Sequence, residues 1–293
     1  MQSSDRLGRA TFYHIAPQHD VRPTEREIRW LQHIERHGPQ NSMYLCKLTS
    51  DTHRCKDTGL RQLQKLRAGG YLCLPPQQRA TERAAFNPYI YDLTEQGRCH
   101  LMDQGQQTAS VRPTGHWWHG YTTSCVTSSI DITASKLGID YIPAHEILAK
   151  RNTNLAIPVG SARLIPDQLC ALNYGGAYLA FALEVDRGTE PKTSPAKRKS
   201  YARSIALYRE LIAGNIYKSH YGLSANMLVL WVFRNLSDEA AFQSLLQNES
   251  PYLRQAVLTK TVSKKLLFGP PDESLLTEPW NRCGYPAFIL ANP

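Results

Sequence analysis

The sequence predicts an α/β protein of the α+β kind, with a small helix-rich domain ahead of a larger mixed-sheet domain. Three observations predict it. Residues 24–68 place apolar side chains at helical spacing, broken by turn signals, and then pass into short strand-length runs. Residues 168–185 form two β-rich runs around Gly175-Gly176, and 227–233 (MLVLWVF) is a continuous apolar run of strand length. Between these regions, 104–115 is polar, contains Pro113 and has no periodicity, which reads as a linker. The expected organisation is an arm at 1–22, a first domain at 23–103, a linker at 104–115 and a second domain at 116–293.

In the first domain, Thr24 can cap a helix whose first turn holds Glu25 and Glu27 and whose buried stripe is Ile28, Leu31 and Ile34, until Gly38-Pro39 ends it. Asn41 or Ser42 can cap a second helix that buries Met43, Leu45 and Leu48. A third helix buries Leu60, Leu63 and Leu66, leaves Arg54, Lys56, Arg61 and Lys65 for its other face, and stops at Gly69-Gly70. Strands are expected at 71–74 and 89–93, joined by a polar tip carrying Arg79 and Arg83, and Thr94 then caps EQGRCHLM.

In the second domain, Val126, Ile130, Ala134 and Leu137 suggest an opening helix, with His116 and His119 at its entry as packing or capping residues. A strand at 139–142 and a short helix at 145–151 follow. The hairpin comes next, with strands at 168–174 and 177–185. A helix is expected at 195–213, with Tyr201, Ile205, Leu207, Tyr208, Leu211 and Ile212 as its apolar stripe, then the central strand at 227–233, a helix at 238–248 and an irregular closing tail.

The hairpin carries the chemistry. Asp167 begins its first strand and Glu184 and Asp186 end its second, so a tight hairpin brings all three acids to one end of the sheet. Clustered carboxylates repel one another unless a cation offsets them, and a hard divalent ion such as Mg²⁺ is the usual partner. Asp131 and Glu146 are the upstream acids that could add a third ligand. Residues 192–209 follow with Lys192, Lys197, Arg198, Lys199, Arg203 and Arg209 and no acid, a composition suited to phosphate. The same residues also read as a turn cap, strand-end acids in solvent and a solvated helix face.

Charge points the same way. The chain of 293 residues has a formal net charge of +9, and residues 1–115 alone hold 16 basic and 11 acidic side chains, so both halves are basic and suited to a polyanion such as double-stranded DNA. With 42% hydrophobic and 20% charged residues, the composition excludes wholesale disorder. Seven cysteines without a CxxC pair point away from a zinc finger or a disulfide framework and toward free thiols in a reducing cytoplasm. No apolar run approaches the roughly 20 residues that span a bilayer, and the polar start lacks a signal-peptide core, so a cytoplasmic protein without a membrane partner is expected.

Two resemblances attach to these residues. LRQLQKLRAGGYL followed by YDLTEQGRCHL looks like the recognition helix, wing and post-wing helix of a winged helix-turn-helix domain, which implies duplex DNA contacts through Arg54, Lys56, Arg61, Lys65, Arg79 and Arg83. The later order, with PD at 166–167 and E-x-D at 184–186, resembles the PD-(D/E)XK nuclease core. Together with LEVDRGTE, K-x-x-x-Y at 197–201 and a terminal EPW-x-x-x-G-Y-P, the chain resembles the bacterial replication-relaxation family of plasmids and other mobile elements.

The nuclease resemblance implies Asp167 and Glu184 as Mg²⁺ ligands. Asp186 occupies the position of the superfamily's catalytic lysine, which leaves Lys197, or Lys199 in competition, to supply that charge, while Lys199 and Arg203 face DNA. The implied function is a DNA-binding protein of a mobile genetic element, acting in plasmid replication, relaxation or transfer or their regulation, with metal-dependent DNA nicking or cleavage in its nuclease-like domain. The alternative is a winged-helix transcriptional regulator whose inactive nuclease-like domain mediates dimerisation or partner binding. A homodimer and other mobile-element proteins are the protein partners these readings call for.

Overall fold

The computed structural model describes residues 15–52, 55–80, 87–105, 111–112, 116–188 and 200–293. The chain forms two compact units, Met1–Ser128 with Lys265–Pro271, and Ser129–Lys264 with Asp272–Pro293.

The first unit opens with α1 (Glu25–His37), where Glu27 Oε2 accepts the Thr24 backbone N–H at 2.6 Å and ties down the first turn. Strand β1 (Gln40–Asn41) leads into α2 (Ser42–Leu48), and the Asn41 side chain accepts from Met43 N–H at 2.8 Å and Tyr44 N–H at 3.2 Å. That is the cap the sequence suggests. The strand β1 was not legible, because two residues carry no periodicity.

Helix α3 (Lys56–Ala68) buries Leu63 and Leu66, and the chain leaves it through Gly69, whose N–H reaches Lys65 O at 2.9 Å. Strands β2 (Leu72–Cys73) and β3 (Ile90–Leu93) follow, shorter than expected, with a 3-10 turn at Pro76–Ala80 inside the expected polar tip. The three strands form an antiparallel sheet ordered β1-β3-β2, with Gln40 opposite Tyr91 and Leu72 opposite Leu93. Helix α4 (Glu95–Asp103) starts at Thr94, whose hydroxyl oxygen accepts Gly97 N–H at 3.1 Å. Trp30, Leu31, Ile34, Leu45, Leu63, Leu66, Leu72, Tyr91, Leu93 and Leu101 make one buried cluster from every one of these helices and both longer-range strands.

Helix α5 (Trp117–Lys136) is continuous through the cut between units at Ser128 and Ser129, downstream of the polar stretch 104–115. The second unit then builds β4 (Asp140–Pro143), α6 (Ala144–Ala149), β5 (Ile157–Val159), β6 (Ala162–Leu164), β7 (Gln168–Asn173) and β8 (Tyr178–Asp186). After these come α7 (Tyr201–Ala213), α8 (Ile216–Tyr221), β9 (Met227–Phe233), α9 (Leu236–Leu246), α10 (Pro251–Ala256), β10 (Val257–Thr261), β11 (Trp280–Arg282) and β12 (Tyr285–Phe288). The start of the expected helix at 195–199 lies outside the described residues.

Seven strands form one mixed sheet in the order β12-β11-β10-β9-β8-β7-β4. The pairs β8–β9 and β9–β10 are parallel and the others antiparallel, so the α+β class read from the sequence is the one observed. Strand β9 matches the MLVLWVF run residue for residue, and its central position explains why it is apolar on both faces. The hairpin turn falls at Gly175 and Gly176, with φ of 76° and 113°, a region that L side chains rarely enter. The tail read as irregular instead closes the sheet as β11 and β12. Its strands of three and four residues are too short to show alternation.

Candidate functional site

The hairpin β7–β8 brings its acids to one end, as the spacing requires. Asp167 precedes β7; its N–H donates to Leu183 O at 2.9 Å and its Oδ2 accepts Val185 N–H at 2.7 Å. Asp167 thereby closes the open end of the hairpin. Glu184 and Asp186 stand two residues apart on β8 and share a face. The parallel neighbour β9 sets Trp231 beside Glu184 and Phe233 beside Asp186.

Helix α7 covers that face with two tyrosines seven residues apart, two helical turns and hence the same side. The Tyr208 hydroxyl donates to Glu184 Oε1 at 2.7 Å, and the Tyr201 hydroxyl donates to Asp186 Oδ2. The second Asp186 oxygen accepts Gly188 N–H at 2.9 Å. Glu184 is 1% exposed and Asp186 2%, so these bonds take the place of water that both carboxylates would otherwise require.

Rings enclose the pair. Tyr201 meets Phe242 edge-on at 5.4 Å and Phe233 at 6.0 Å, Trp231 lies 4.2 Å from Phe242, and Tyr208 meets Trp231 at 6.0 Å. Burial foremost, then the charges of Glu184 and Asp167, push the Tyr208 phenol well above its ordinary value. Tyr208 is therefore a fixed hydrogen-bond donor at physiological pH.

Donor chemistry decides what such a site can hold. Among the described residues, Asp167, Glu184 and Asp186 do not gather into one three-ligand group, and neither Asp131 nor Glu146 completes one with them. Both Asp186 oxygens are engaged by the fold. Asp167 and Glu184 are two hard carboxylates at adjacent strand ends, each also bonded within the fold. Mg²⁺ is commonly bound by one or two carboxylates and keeps several waters, so this pair fits it by donor type.

The other sequence candidates fall as follows. Lys56, Arg61 and Lys65 are exposed on α3, and Arg203 is exposed on α7. Arg54, Arg83, Lys197 and Lys199, and the side chain of Arg79, lie outside the described residues. His116 Nδ1 accepts Trp118 N–H at 3.3 Å, in keeping with a capping role. Sequence reading missed Tyr201 and Tyr208 as carboxylate partners. Their seven-residue spacing was visible, but a tyrosine in an apolar stripe reads as core until the facing strand is known.

Over residues 31–227 the chain matches the family described as replication-relaxation. No curated protein and no solved structure matches it.

Proposed function

Because the chain belongs to the replication-relaxation family, we propose that it is a DNA-binding protein of a mobile genetic element, acting in plasmid replication, relaxation or transfer or in their regulation. The observation that carries this reading is α3. Its inner face inserts Leu63 and Leu66 into the core while its outer face exposes Lys56, Arg61 and Lys65. An amphipathic helix held this way, followed by a strand pair, is the arrangement by which a winged helix offers a helix to the major groove. The excess of basic residues supports a phosphate-bearing partner.

In the second unit, Asp167 and Glu184 are the residues that would hold Mg²⁺, and the ion would polarise a phosphoryl oxygen and activate water. Asp167 is fixed by Val185 N–H and Glu184 by Tyr208, which supports a preset ligand pair. Asp186 serves in this reading as a strut in the place of the motif lysine, with Lys197 or Lys199 left to supply the charge.

A second reading, a transcriptional regulator with an inactive nuclease-like domain used for dimerisation or partner binding, is favoured by the burial of Glu184 and Asp186 under tyrosines. The deciding experiment incubates supercoiled plasmid with the protein and Mg²⁺ or Mn²⁺, beside Asp167→Ala. Nicking lost in the variant supports the enzyme; equal nicking by both proteins, or none by either, overturns it. A gel shift across salt tests DNA binding separately, and binding indifferent to salt counts against it.

A further inference from the structure

The terminal motif EPW-x-x-x-G-Y-P builds the hairpin β11–β12 at the margin of the large sheet, away from the acids of β8. Among the described residues, three cations lie over rings there. Lys260 Nζ stands 6.0 Å from the centre of the Trp280 ring, Arg254 Cζ 5.5 Å from that of Tyr285 and Arg282 Cζ 4.4 Å from that of Phe288. Arg282 and Tyr285 are directly opposite across the hairpin, so they share a face. Gly284 turns the chain with φ of 74°, and a Cβ on it would come within 3.1 Å of Arg254 Nη1, so glycine leaves that guanidinium its room.

The cations differ in what they bond. Lys260 donates to Ser274 O at 2.8 Å and Pro279 O at 3.3 Å and lies 3.9 Å from Glu278. Arg254 and Arg282 are half-buried, and each keeps a buried Nε–H without an acceptor. Neither side chain has a hydrogen bond or an ion pair among the described residues. Their stretches of chain, 251–264 and 279–293, contain no acid. Glu239 accepts from Asn281 Nδ2 at 2.8 Å, and since Asn281 and Arg282 alternate along β11, that carboxylate serves the other face of the sheet. Glu249 pairs with Arg209 at 3.2 Å. Burial pushes the Arg282 guanidinium below its ordinary value, with no carboxylate to offset it.

A half-buried cation with open donors gains from an anion, and a guanidinium held on a ring is already ordered for the planar fork that meets phosphate oxygens. Arginines interleaved with aromatic rings are also the chemistry that grips single nucleic-acid strands, the phosphates by charge and the unpaired bases by stacking. We propose that Arg254 and Arg282, with Tyr285 and Phe288, form a surface that binds single-stranded DNA along the β11–β12 margin. The proposal rests on the DNA-binding reading above and divides it into a duplex contact on α3 and a single-strand contact here.

The test titrates a fluorescent single-stranded oligonucleotide, and a duplex of the same length, over a range of salt. The proteins are the full chain, Arg254→Gln, Arg282→Gln, their combination, and Arg254→Lys/Arg282→Lys. Each lost phosphate contact should make log affinity against log salt shallower by about 0.7 for the single strand. The combined Gln variant should therefore lose up to about 1.4 in slope, bind the single strand several-fold more weakly and hold the duplex as the parent does. The Lys variant keeps both charges and should keep the slope. Unchanged slope and affinity for the single strand in a folded Gln variant overturn the surface, and so do equal losses on strand and duplex. Crosslinking the parent chain to a single strand that carries bromouracil needs no variant: adducts within 251–256 or 280–288 support the surface, and adducts confined to other segments overturn it. A parent chain that binds the duplex but not the single strand overturns the surface and leaves the DNA reading intact. Failure to bind either oligonucleotide overturns both.

Discussion

Tyr208 donates a 2.7 Å hydrogen bond to Glu184 Oε1, and both side chains are buried, at 0% and 1% exposure. The pairing joins α7 to the end of β8 and gives a buried carboxylate oxygen its hydrogen-bond donor inside an aromatic wall. Removing the donor leaves a buried acceptor short of one bond. Tyr208→Phe is expected to cost about 1–3 kcal/mol in denaturant unfolding, because the ring still fills its space and only the bond is lost.

The same tyrosine makes stability depend on alkaline pH. Its folded value is raised above the ordinary 10.0, so the folded state keeps a phenolic proton that the unfolded chain gives up. Its contribution is complete below about pH 10 and declines as the pH climbs from there toward the folded value. Melting temperatures measured from pH 9 to 11 should fall more steeply for the parent protein than for Tyr208→Phe.

Asp186 and Asp167 should separate by what they do. Asp186→Asn keeps the shape and weakens the bonds from Tyr201 and Gly188, so a loss of about 1–3 kcal/mol is expected with divalent-ion affinity unchanged. Asp167→Ala should abolish Mn²⁺ binding followed by calorimetry. An Asp186→Asn protein that loses the ion while its melt is unchanged would assign Asp186 to the metal instead.

Asn41 has two tasks in the first unit. Its Oδ1 caps α2, and its Nδ2 donates to Leu267 O at 3.1 Å and Gly269 O at 3.2 Å. Asn41→Ala should cost more than the typical cap loss of about 1 kcal/mol, and Asn41→Asp, which can still cap but no longer donates, should recover part of it. Thermal unfolding of the three proteins checks the order.

The exposed cations of α3 should behave differently from all of these. Arg61→Ala and Lys65→Ala are expected to leave the melt within about 0.5 kcal/mol of the parent, since neither side chain is buried. Each should weaken duplex binding and reduce its salt slope by about 1. Filter binding across salt is the measurement.

Legibility in the sequence followed the range of the interactions. Helix α1, the Asn41 cap, the Gly175-Gly176 hairpin and β9 are set by neighbours in the chain, and their residues announced them. Strands β5, β6, β10, β11 and β12 exist because other strands pair with them, and runs of three to five residues carry too little pattern to show it. Asp167, Glu184 and Asp186 were legible as an acidic end because a hairpin is local. Their different fates were not: Tyr201 and Tyr208 arrive from another helix.

The turn at Gly175 and Gly176 has open space around it, with no atom within 4 Å of an added Cβ at either position. It sits at the opposite end of β8 from the acids, and nine residues of strand at roughly 3.3 Å each put about 30 Å between them. That separation makes the hairpin tip a handle. A peptide tag or fluorophore inserted between the two glycines is expected to report on the protein in a cell or on a surface without touching the carboxylate end.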